Sequence, residues 1–404
     1  MVHSGYTRRW LMLGSLWSLY AVFGLIAGSL APLLERIRVE LDMSRSAMGA
    51  ALAAWPFVYL FVSIKAGRVL DRIGLRAGLG IGIISIVASG FLRACAQGSI
   101  SLWFAVAIFG VGGPFISIGA PKLVAEWFGK EERGRAVGIY STAAPTGAMI
   151  ALVLADPLRV ALGGWRPVLA VFATMGIIVG AVWLWVSRKP SPRQVALESH
   201  LPTSELLKDR TVQLVLLLAF GSFFFSHSMG GWMPDMLQHV GWSERGSSWL
   251  AAVGVAFGIL SALCIPGRVS EKNRPKALAA LYLMVAIAIW ALATEIRIAH
   301  LAAVPLIGVA RVTYVPLAML ILMSAPKVST KTIGAAGGLF FTAGEVGGVS
   351  GPWITGVARD AASNFTLAIG MLSGLAIVLS VLAISTGKRR LLSNYVESVS
   401  NTGP

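Results

Sequence analysis

The order of apolar and polar residues divides the chain into long apolar segments separated by short polar stretches. A helix needs about 20 mostly apolar residues to cross the hydrocarbon core of a bilayer. Backbone groups in lipid must be satisfied within their own segment, so apolar segments of this length predict helices. The short alternating segments of a membrane β-barrel are missing from the sequence. Twelve predicted spans, numbered 1 to 12, cover residues 10–34, 47–66, 77–97, 100–121, 134–156, 166–187, 211–234, 247–266, 277–294, 300–324, 333–357 and 364–386.

The polar turn between spans 2 and 3 returns in the second half of the chain. Residues 67–77 read GRVLDRIGLRA and residues 267–277 read GRVSEKNRPKA, at an offset of 200 positions. Two copies of one element at a half-chain period predict a duplicated architecture. Small residues at short spacing let helices approach closely. The same offset aligns small residues of spans 5 and 11, namely Gly134, Ala136, Gly138, Thr142, Ala143 and Gly147 with Gly334, Ala336, Gly338, Thr342, Ala343 and Gly347.

Composition supports a membrane protein. Of the 404 residues, 56% are hydrophobic and 13% are charged, whereas soluble proteins carry about 25% charged residues. A water-soluble globule with so little charge would expose large apolar patches. We therefore predict an all-α membrane protein with two six-helix bundles, over residues 1–187 and 211–390. A linker over 188–210 joins them, and a tail over 391–404 follows.

The net charge of +16 would favour nucleic-acid binding in a soluble protein. Here most Lys and Arg residues lie in short loops on one side of the predicted spans. Such loops stay in the cytoplasm, which predicts a multi-pass protein of the cytoplasmic (inner) membrane with both termini inside. No basic run is interleaved with aromatic residues for base stacking, so the expected partners are the lipid bilayer and a small molecule.

The sequence contains no chemistry typical of an enzyme or of an ATP-driven pump. There is no G-x-x-x-x-G-K-[S/T] phosphate loop, no nucleophile elbow and no His-rich metal cluster. The two cysteines, Cys95 and Cys264, give neither a disulfide framework nor a metal-ligand spacing. We expect no cofactor and no catalytic site, with a proton or sodium gradient as the energy source.

Residues 67–77 carry a recognisable motif. Gly67, Asp71, Arg72, Gly74 and Arg76 match the pattern G-x-L-a-D-r-x-G-r-k. The loop resembles the one between helices 2 and 3 of the major facilitator superfamily. Residues 126–138, which include Arg135, are similar to that family's segment between helices 4 and 5, and residues 164–166 to its turn between helices 5 and 6.

The resemblance covers essentially the whole chain. It implies two bundles around a central cavity that rock between two accessible states. Spans 1, 4, 7 and 10 would line the cavity, with 2, 5, 8 and 11 at its sides and 3, 6, 9 and 12 peripheral. The motif residues and Arg135 would gate the movement. Members are secondary transporters, and the chain is most similar to bacterial groups that carry small organic anions, including monocarboxylate-type carriers.

Two ionisable residues fall near the middle of predicted spans. Arg311 lies in span 10 and Glu345 in span 11, where a charge costs about 2.5–3.5 kcal/mol. An arginine offers a planar fork of donors that suits a carboxylate. Two interpretations stay open. The residues form a structural ion pair, or Arg311 binds an anionic substrate while Glu345 takes up a proton.

Other candidates have a structural alternative as well. His227 lies in span 7. Because a free histidine changes charge near neutral pH, it is a candidate proton relay, or it is a neutral histidine bonded to a hydroxyl. Tyr20, Trp55 and Tyr314 are candidate substrate-binding residues, or pack in the core or at the membrane interface. Arg93, near the outer end of span 3, is predicted to extend its side chain to the interface.

We therefore expect a secondary transporter, acting as a monomer, that moves a small organic anion in a proton-linked cycle. The alternative is a proton-coupled exporter of hydrophobic drugs or metabolites, in which Glu345 handles protons and the aromatic residues bind the cargo. A membrane receptor or sensor is a third class, and no appended signalling domain in the given sequence supports it.

Overall fold

Each predicted apolar segment is helical in the computed structural model of the protein, which describes residues 2–188, 203–328 and 333–401. Eleven helical stretches among these residues are long and apolar enough to cross a membrane, and Ile333–Ala362 forms span 11. The spans are Val2–Gly28 (1), Arg45–Ala94 (2 and 3), Ser99–Trp127 (4), Lys130–Ser141 with Ala143–Leu162 (5), Trp165–Val186 (6), Arg210–His239 (7), Glu244–Arg268 (8), Arg274–Ala288 with the 3-10 turn Ile289–Ala293 (9), Arg297–Leu322 (10), Ile333–Ala362 (11) and Thr366–Asn401 (12).

Short elements complete the chain. The 3-10 turn Ala31–Leu33 and the helix Leu34–Glu40 extend span 1, and a 3-10 turn, Glu271–Asn273, precedes span 9. The helix Thr203–Leu207 precedes span 7; residues 189–202 of the predicted linker lie outside the described residues. With twelve spans, both termini lie on one side of the membrane, here called the terminal face. The other side is the opposite face.

The two copies of the polar turn are built differently. Spans 2 and 3 are separated by a single residue, Gly74, with φ 78° and ψ 165°, a conformation that glycine adopts readily. In the second half, extended backbone at Val269 and Ser270 leads into the turn Glu271–Asn273, and Arg274 is already in the right-handed helical region. The second copy therefore does not require a glycine where the first has Gly74.

The aligned small residues of spans 5 and 11 hold equivalent places in the two halves. A Cβ added at Gly147 would overlap the carbonyl oxygen of Ala21 on span 1, and one added at Gly347 would overlap that of Phe220 on span 7. Span 5 packs on span 1 and span 11 on span 7. The predicted duplication is confirmed, and the predicted close helix packing is confirmed at Gly147 and Gly347.

The outer surface of the helix assembly is apolar. Large side chains on spans 3, 6, 9 and 12 are exposed, as shown by Ile84 (65%), Trp185 (67%), Ile287 (69%) and Val381 (61%). Such a surface would aggregate in water but suits lipid. These four spans are peripheral, as the resemblance implies.

The prediction for Arg93 is wrong. Its side chain is fully buried and donates to the carbonyl oxygen of Ile26 at 2.6 Å, where span 1 nears its end. Its guanidinium also lies over the ring of Phe109, 5.5 Å from the centroid. The carbonyl of Ile26 also accepts from the backbone N–H and the hydroxyl of Ser29, so Arg93 joins a polar group that forms where span 1 ends and that is a closer partner than the interface.

Candidate functional site

A cavity of about 300 Å³ lies between the two halves, from mid-membrane towards the opposite face. We call it the central cavity. Spans 1, 2 and 5 of the first half and spans 7, 8, 10 and 11 of the second half line it. Span 4 contributes no lining residue among those described, although the resemblance implied a central place for it. Phe109 of span 4 instead packs behind Phe23 and Trp55, which do line the cavity.

Arg311 brings a cation to the central cavity. It lines the cavity from span 10, and its side chain makes no hydrogen bond or ion pair with another described residue. The guanidinium lies against span 7, where a Cβ added at Gly230 would be 2.9 Å from its Nη2 atom. The hydroxyl of Ser226 donates to the backbone carbonyl of Arg311 at 3.3 Å, which fixes span 10 against span 7.

His227 and Glu345 form a second polar group beside the cavity. The Nδ1 atom of His227 is 2.9 Å from the carbonyl oxygen of Phe223. A carbonyl only accepts, so Nδ1 carries a proton and donates it. The other ring nitrogen, Nε2, lies 4.0 Å from Oε2 of Glu345. That carboxylate oxygen is buried and has no hydrogen-bond partner among the described residues.

The predicted pairing of Arg311 with Glu345 is not formed among the described side chains. Span 10 packs mainly on spans 7, 8 and 9 and hardly touches span 11. Glu345 of span 11 meets His227 of span 7 instead. The two residues therefore belong to neighbouring polar groups, and the central cavity is lined by Arg311 of the first group and by His227 of the second.

Aromatic side chains connect the cavity with the terminal half of the first bundle. The ring of Trp55 lies 5.2 Å from that of His227, across the boundary between the halves. Phe23 contacts Trp55, with centroids 6.1 Å apart. Tyr20 follows at 5.3 Å from Phe23 and 6.2 Å from Tyr140. Trp55 thus lines the cavity, and Tyr20 lies one ring away from it.

Tyr314 has a different environment. It is fully buried in the second half and stacks on Tyr282 of span 9, with centroids 4.3 Å apart. It is not among the residues that line the central cavity. Phe23 and Gly230, which do line it, were not identified from the sequence. The pair Gly230-Gly231 inside a span is the signal that points to a close approach there.

The predicted gating residues lie at the terminal face. Gly67 and Gly74 flank the end of span 2, while Arg72 and Arg76 are exposed there, and Arg76 donates to the carbonyl of Leu184 at 3.4 Å. The guanidinium of Arg135 lies 5.2 Å from the ring centroid of Trp10. The side chain of Asp71 lies outside the described residues.

At the opposite face, span 11 caps span 2. The carboxylate of Asp360 accepts from the backbone N–H groups of Arg45 at 3.2 Å and Ser46 at 2.7 Å. These are two of the N–H groups that a helix start leaves without a partner. The side chain of Arg45 also lies 3.5 Å from Asp235 of span 7. A contact between the halves is therefore built into the start of a helix.

A second set of ion pairs closes the same face. Glu244, at the start of span 8, pairs with Arg36 at 2.7 Å and with Arg159 at 3.4 Å. Both arginines belong to the first half. Together with the cap from Asp360, these contacts hold the two halves together above the central cavity.

Comparison with known proteins agrees with this architecture. The chain is 23% identical over 376 residues to the hexuronate transporter of Bacillus subtilis (strain 168), covering 86% of this chain and 87% of that protein. It is 22% identical over 389 residues to an uncharacterised transporter of the same organism, YycB, covering 95% and 94%. A crystal structure of a bacterial homologue of the human lysosomal transporter Spinster has the same fold, with a TM-score of 0.75, 17% identity and 94% of both chains covered.

Two helical halves surround a central cavity that holds a cation without a partner among the described residues. The model of the Major Facilitator Superfamily matches residues 16–352, and the chain belongs to this family. It is a multi-pass membrane transporter and not an enzyme.

Proposed function

We propose that the chain is a proton-linked carrier of small organic anions. The observation that carries this proposal is the side chain of Arg311, which faces the central cavity without a hydrogen bond or ion pair from another described residue. A charge at membrane depth needs a compensating partner. The carboxylate of a cargo molecule would supply it, with two parallel N–H···O bonds.

The relatives support the same substrate class. The hexuronate transporter is named for a sugar acid, which carries one carboxylate. An arginine that binds the carboxylate would serve any cargo of this class. The rest of the cavity would then determine which acid is transported.

His227 and Glu345 would handle the proton. With Nδ1 bonded to Phe223, the lone pair of Nε2 is available to a proton on Glu345. The present 4.0 Å separation is too long for a hydrogen bond, and a small shift of span 7 against span 11 would close it. A negative cargo at Arg311 favours protonation of this nearby group, since opposite charges attract more strongly away from water.

The contacts at the opposite face support a cycle of alternating access. Asp360, Asp235 and Glu244 would separate from the first half when the cavity opens towards that face. The basic loops lie at the terminal face, which we assign to the cytoplasm, with the protein in the cytoplasmic membrane. The proton gradient would supply the energy.

The first test is uptake of radiolabelled organic acids into proteoliposomes. We expect Arg311→Gln to abolish uptake. The matched control is Arg297→Gln, on the same span, because Arg297 lies at the opposite face with its guanidinium over Trp242 and away from the cavity. Uptake by Arg311→Gln at the rate of the unmodified protein would refute the role of Arg311.

The second test separates the proton from the cargo. Glu345→Gln keeps the size of the side chain but removes its titration. We expect it to exchange labelled for unlabelled acid at a normal rate, and to lose accumulation driven by a pH gradient. Normal accumulation by this variant would exclude Glu345 as the coupling residue.

The aromatic run from Tyr140 to Trp55 supports a second candidate, proton-coupled export of hydrophobic compounds. Aromatic rings bind flat apolar molecules and lipophilic cations. The two candidates differ in a thermal-shift screen of the purified protein. Stabilisation by carboxylates that is lost in Arg311→Gln supports the anion carrier, and stabilisation by lipophilic cations alone supports the exporter.

A further inference from the structure

Few polar side chains line the central cavity. Of the lining residues, four carry side-chain hydrogen-bonding groups, namely Trp55, Ser226, His227 and Arg311. The remaining lining residues are glycine, alanine, proline, valine, leucine, isoleucine, methionine and phenylalanine. The cavity wall is therefore apolar, with its polar groups confined to spans 2, 7 and 10.

Two of the four polar side chains are already engaged. The hydroxyl of Ser226 donates to the backbone carbonyl of Arg311. His227 donates from Nδ1 to Phe223, and its Nε2 atom faces Glu345 rather than a second polar group in the cavity. The indole N–H of Trp55 and the guanidinium of Arg311 remain as donors without a partner among the described residues.

We infer, building on the proposed function, that the cargo is a monocarboxylate with a single negative charge and an apolar body. The carboxylate binds at Arg311 and Trp55. The rest of the molecule packs against the aliphatic wall that spans 5, 8 and 10 provide. The cargo thus differs from the sugar acid for which the hexuronate transporter is named.

The charge of the cavity limits the cargo to one carboxylate. With His227 neutral, Arg311 is the single cation among the described lining residues. A second carboxylate would enter an apolar cavity without a positive partner, which is strongly unfavourable. Dicarboxylates are therefore excluded unless their second group is protonated.

The small number of hydrogen-bonding side chains in the cavity excludes a cargo with several hydroxyl groups. A hydroxyl that leaves water without a new partner loses free energy, and a sugar acid has several. A site that selects such a molecule leaves few of its hydroxyls unpaired. The aliphatic wall of this cavity offers them none, whereas an apolar body gains from leaving water. The cavity volume of about 300 Å³ is at the small end of ligand sites, so the apolar body is small.

Two matched pairs of acids test this inference on the purified full-length protein by calorimetry. Cyclohexanecarboxylate and glucuronate share a six-membered ring and one carboxylate, but differ in hydroxyls. Hexanoate and adipate share six carbons, but differ in the number of carboxylates. We expect the first member of each pair to bind at least about tenfold more tightly. Arg311→Gln should remove the binding of both preferred acids, which controls for partition into detergent.

The outcomes separate the inference from the proposed function. If glucuronate or adipate binds as tightly as its partner, and binding is lost in Arg311→Gln, the inference is overturned and the anion carrier stands. If none of the four acids binds, or if binding persists unchanged in Arg311→Gln, the proposed role of Arg311 fails and the inference fails with it.

Discussion

At the scale of single residues, the contact between His227 and span 11 depends on Gly348. A Cβ added there would lie 2.9 Å from Oε2 of Glu345 and 3.2 Å from Nδ1 and Cε1 of His227. They belong to the two side chains that we propose handle the proton. The missing side chain lets the imidazole and the carboxylate occupy one small space between spans 7 and 11.

Gly348→Ala is therefore expected to displace the imidazole or the carboxylate. Overpacking of this kind costs about 1–3 kcal/mol, so we expect a lower thermal unfolding temperature and weaker accumulation in a pH gradient. Counterflow exchange at neutral pH, which does not require net proton movement, should fall less. Thermal unfolding and the two transport assays measure these effects.

The matched control is Gly338→Ala on the same span, since a Cβ at Gly338 meets no atom within 4 Å. It should leave both stability and accumulation unchanged. Equal effects of the two substitutions would show that Gly348 matters only for the helix backbone and not for the His227–Glu345 contact.

The candidate residues themselves could be found in the sequence, but not all of their partners. A charge within an apolar segment is conspicuous, so Arg311 and Glu345 were predicted at membrane depth. Their depth is equal, yet they do not meet, because consecutive spans 10 and 11 are not neighbours in space. The prediction that Arg93 reaches the interface is wrong for a different reason: its partner is the carbonyl of Ile26 at the end of span 1, and no sequence pattern indicated that this carbonyl faces span 3.

At the scale of helices, the repeat separates two kinds of glycine. Gly147 and Gly347 contact the backbone of a neighbouring span, whereas Gly138 and Gly338 have open space around them. All four were aligned by the same offset in the sequence. Periodicity identified them as equivalent positions, but only packing distinguishes the close contacts from the open positions.

We expect Gly147→Ala and Gly347→Ala to destabilise the protein in either half, because the added methyl group meets the carbonyl of Ala21 or Phe220. Each should lower stability by about 1–3 kcal/mol, measured by thermal unfolding in detergent. Gly138→Ala and Gly338→Ala, placed earlier on the same spans, should have no measurable effect. A loss confined to one half would contradict the equivalence of spans 5 and 11.

The number of spans was predictable, but their irregular ends were not. Lipid requires long apolar helices, so twelve segments of that length correspond to twelve spans. The 3-10 turn at Ala31–Leu33 and the break between Ser141 and Ala143 depend on local hydrogen bonding. Pro145 has no N–H to donate to the carbonyl of Ser141, as a continuous helix would require. This missing hydrogen bond explains the break between Ser141 and Ala143. The sequence showed Pro145 but not whether the helix would kink or end.

At the scale of the whole molecule, the opposite face is held closed by groups that would change partners if the halves separate in the proposed cycle. Asp360 is the sharpest case, because its carboxylate occupies the start of span 2. A carboxylate there also interacts favourably with the helix dipole. In the proposed cycle, opening at this face would exchange these bonds for water, so the cap would contribute directly to the balance between the two states.

Asp360→Asn should therefore shift the protein towards the state open at the opposite face. The amide keeps the size but has one acceptor oxygen and no charge. A helix cap contributes about 1 kcal/mol, which changes the ratio of the two states by about fivefold.

Spin labels at Ile100→Cys and Ile298→Cys, both exposed at the opposite-face ends of spans 4 and 10, would report the distance between the halves. The native Cys95 and Cys264 are exposed and are first replaced by serine.

Asp42→Asn is the matched control. Asp42 lies in the same opposite-face region, and its side chain makes no hydrogen bond or ion pair with another described residue. The Asp42→Asn substitution removes an equal charge without touching span 2. The distribution of distances between the two spin labels should therefore stay as in the unmodified protein. If Asp360→Asn also leaves the distribution unchanged, the cap does not hold the halves together. The ion pairs of Glu244 with Arg36 and Arg159 would then be the contacts that close this face.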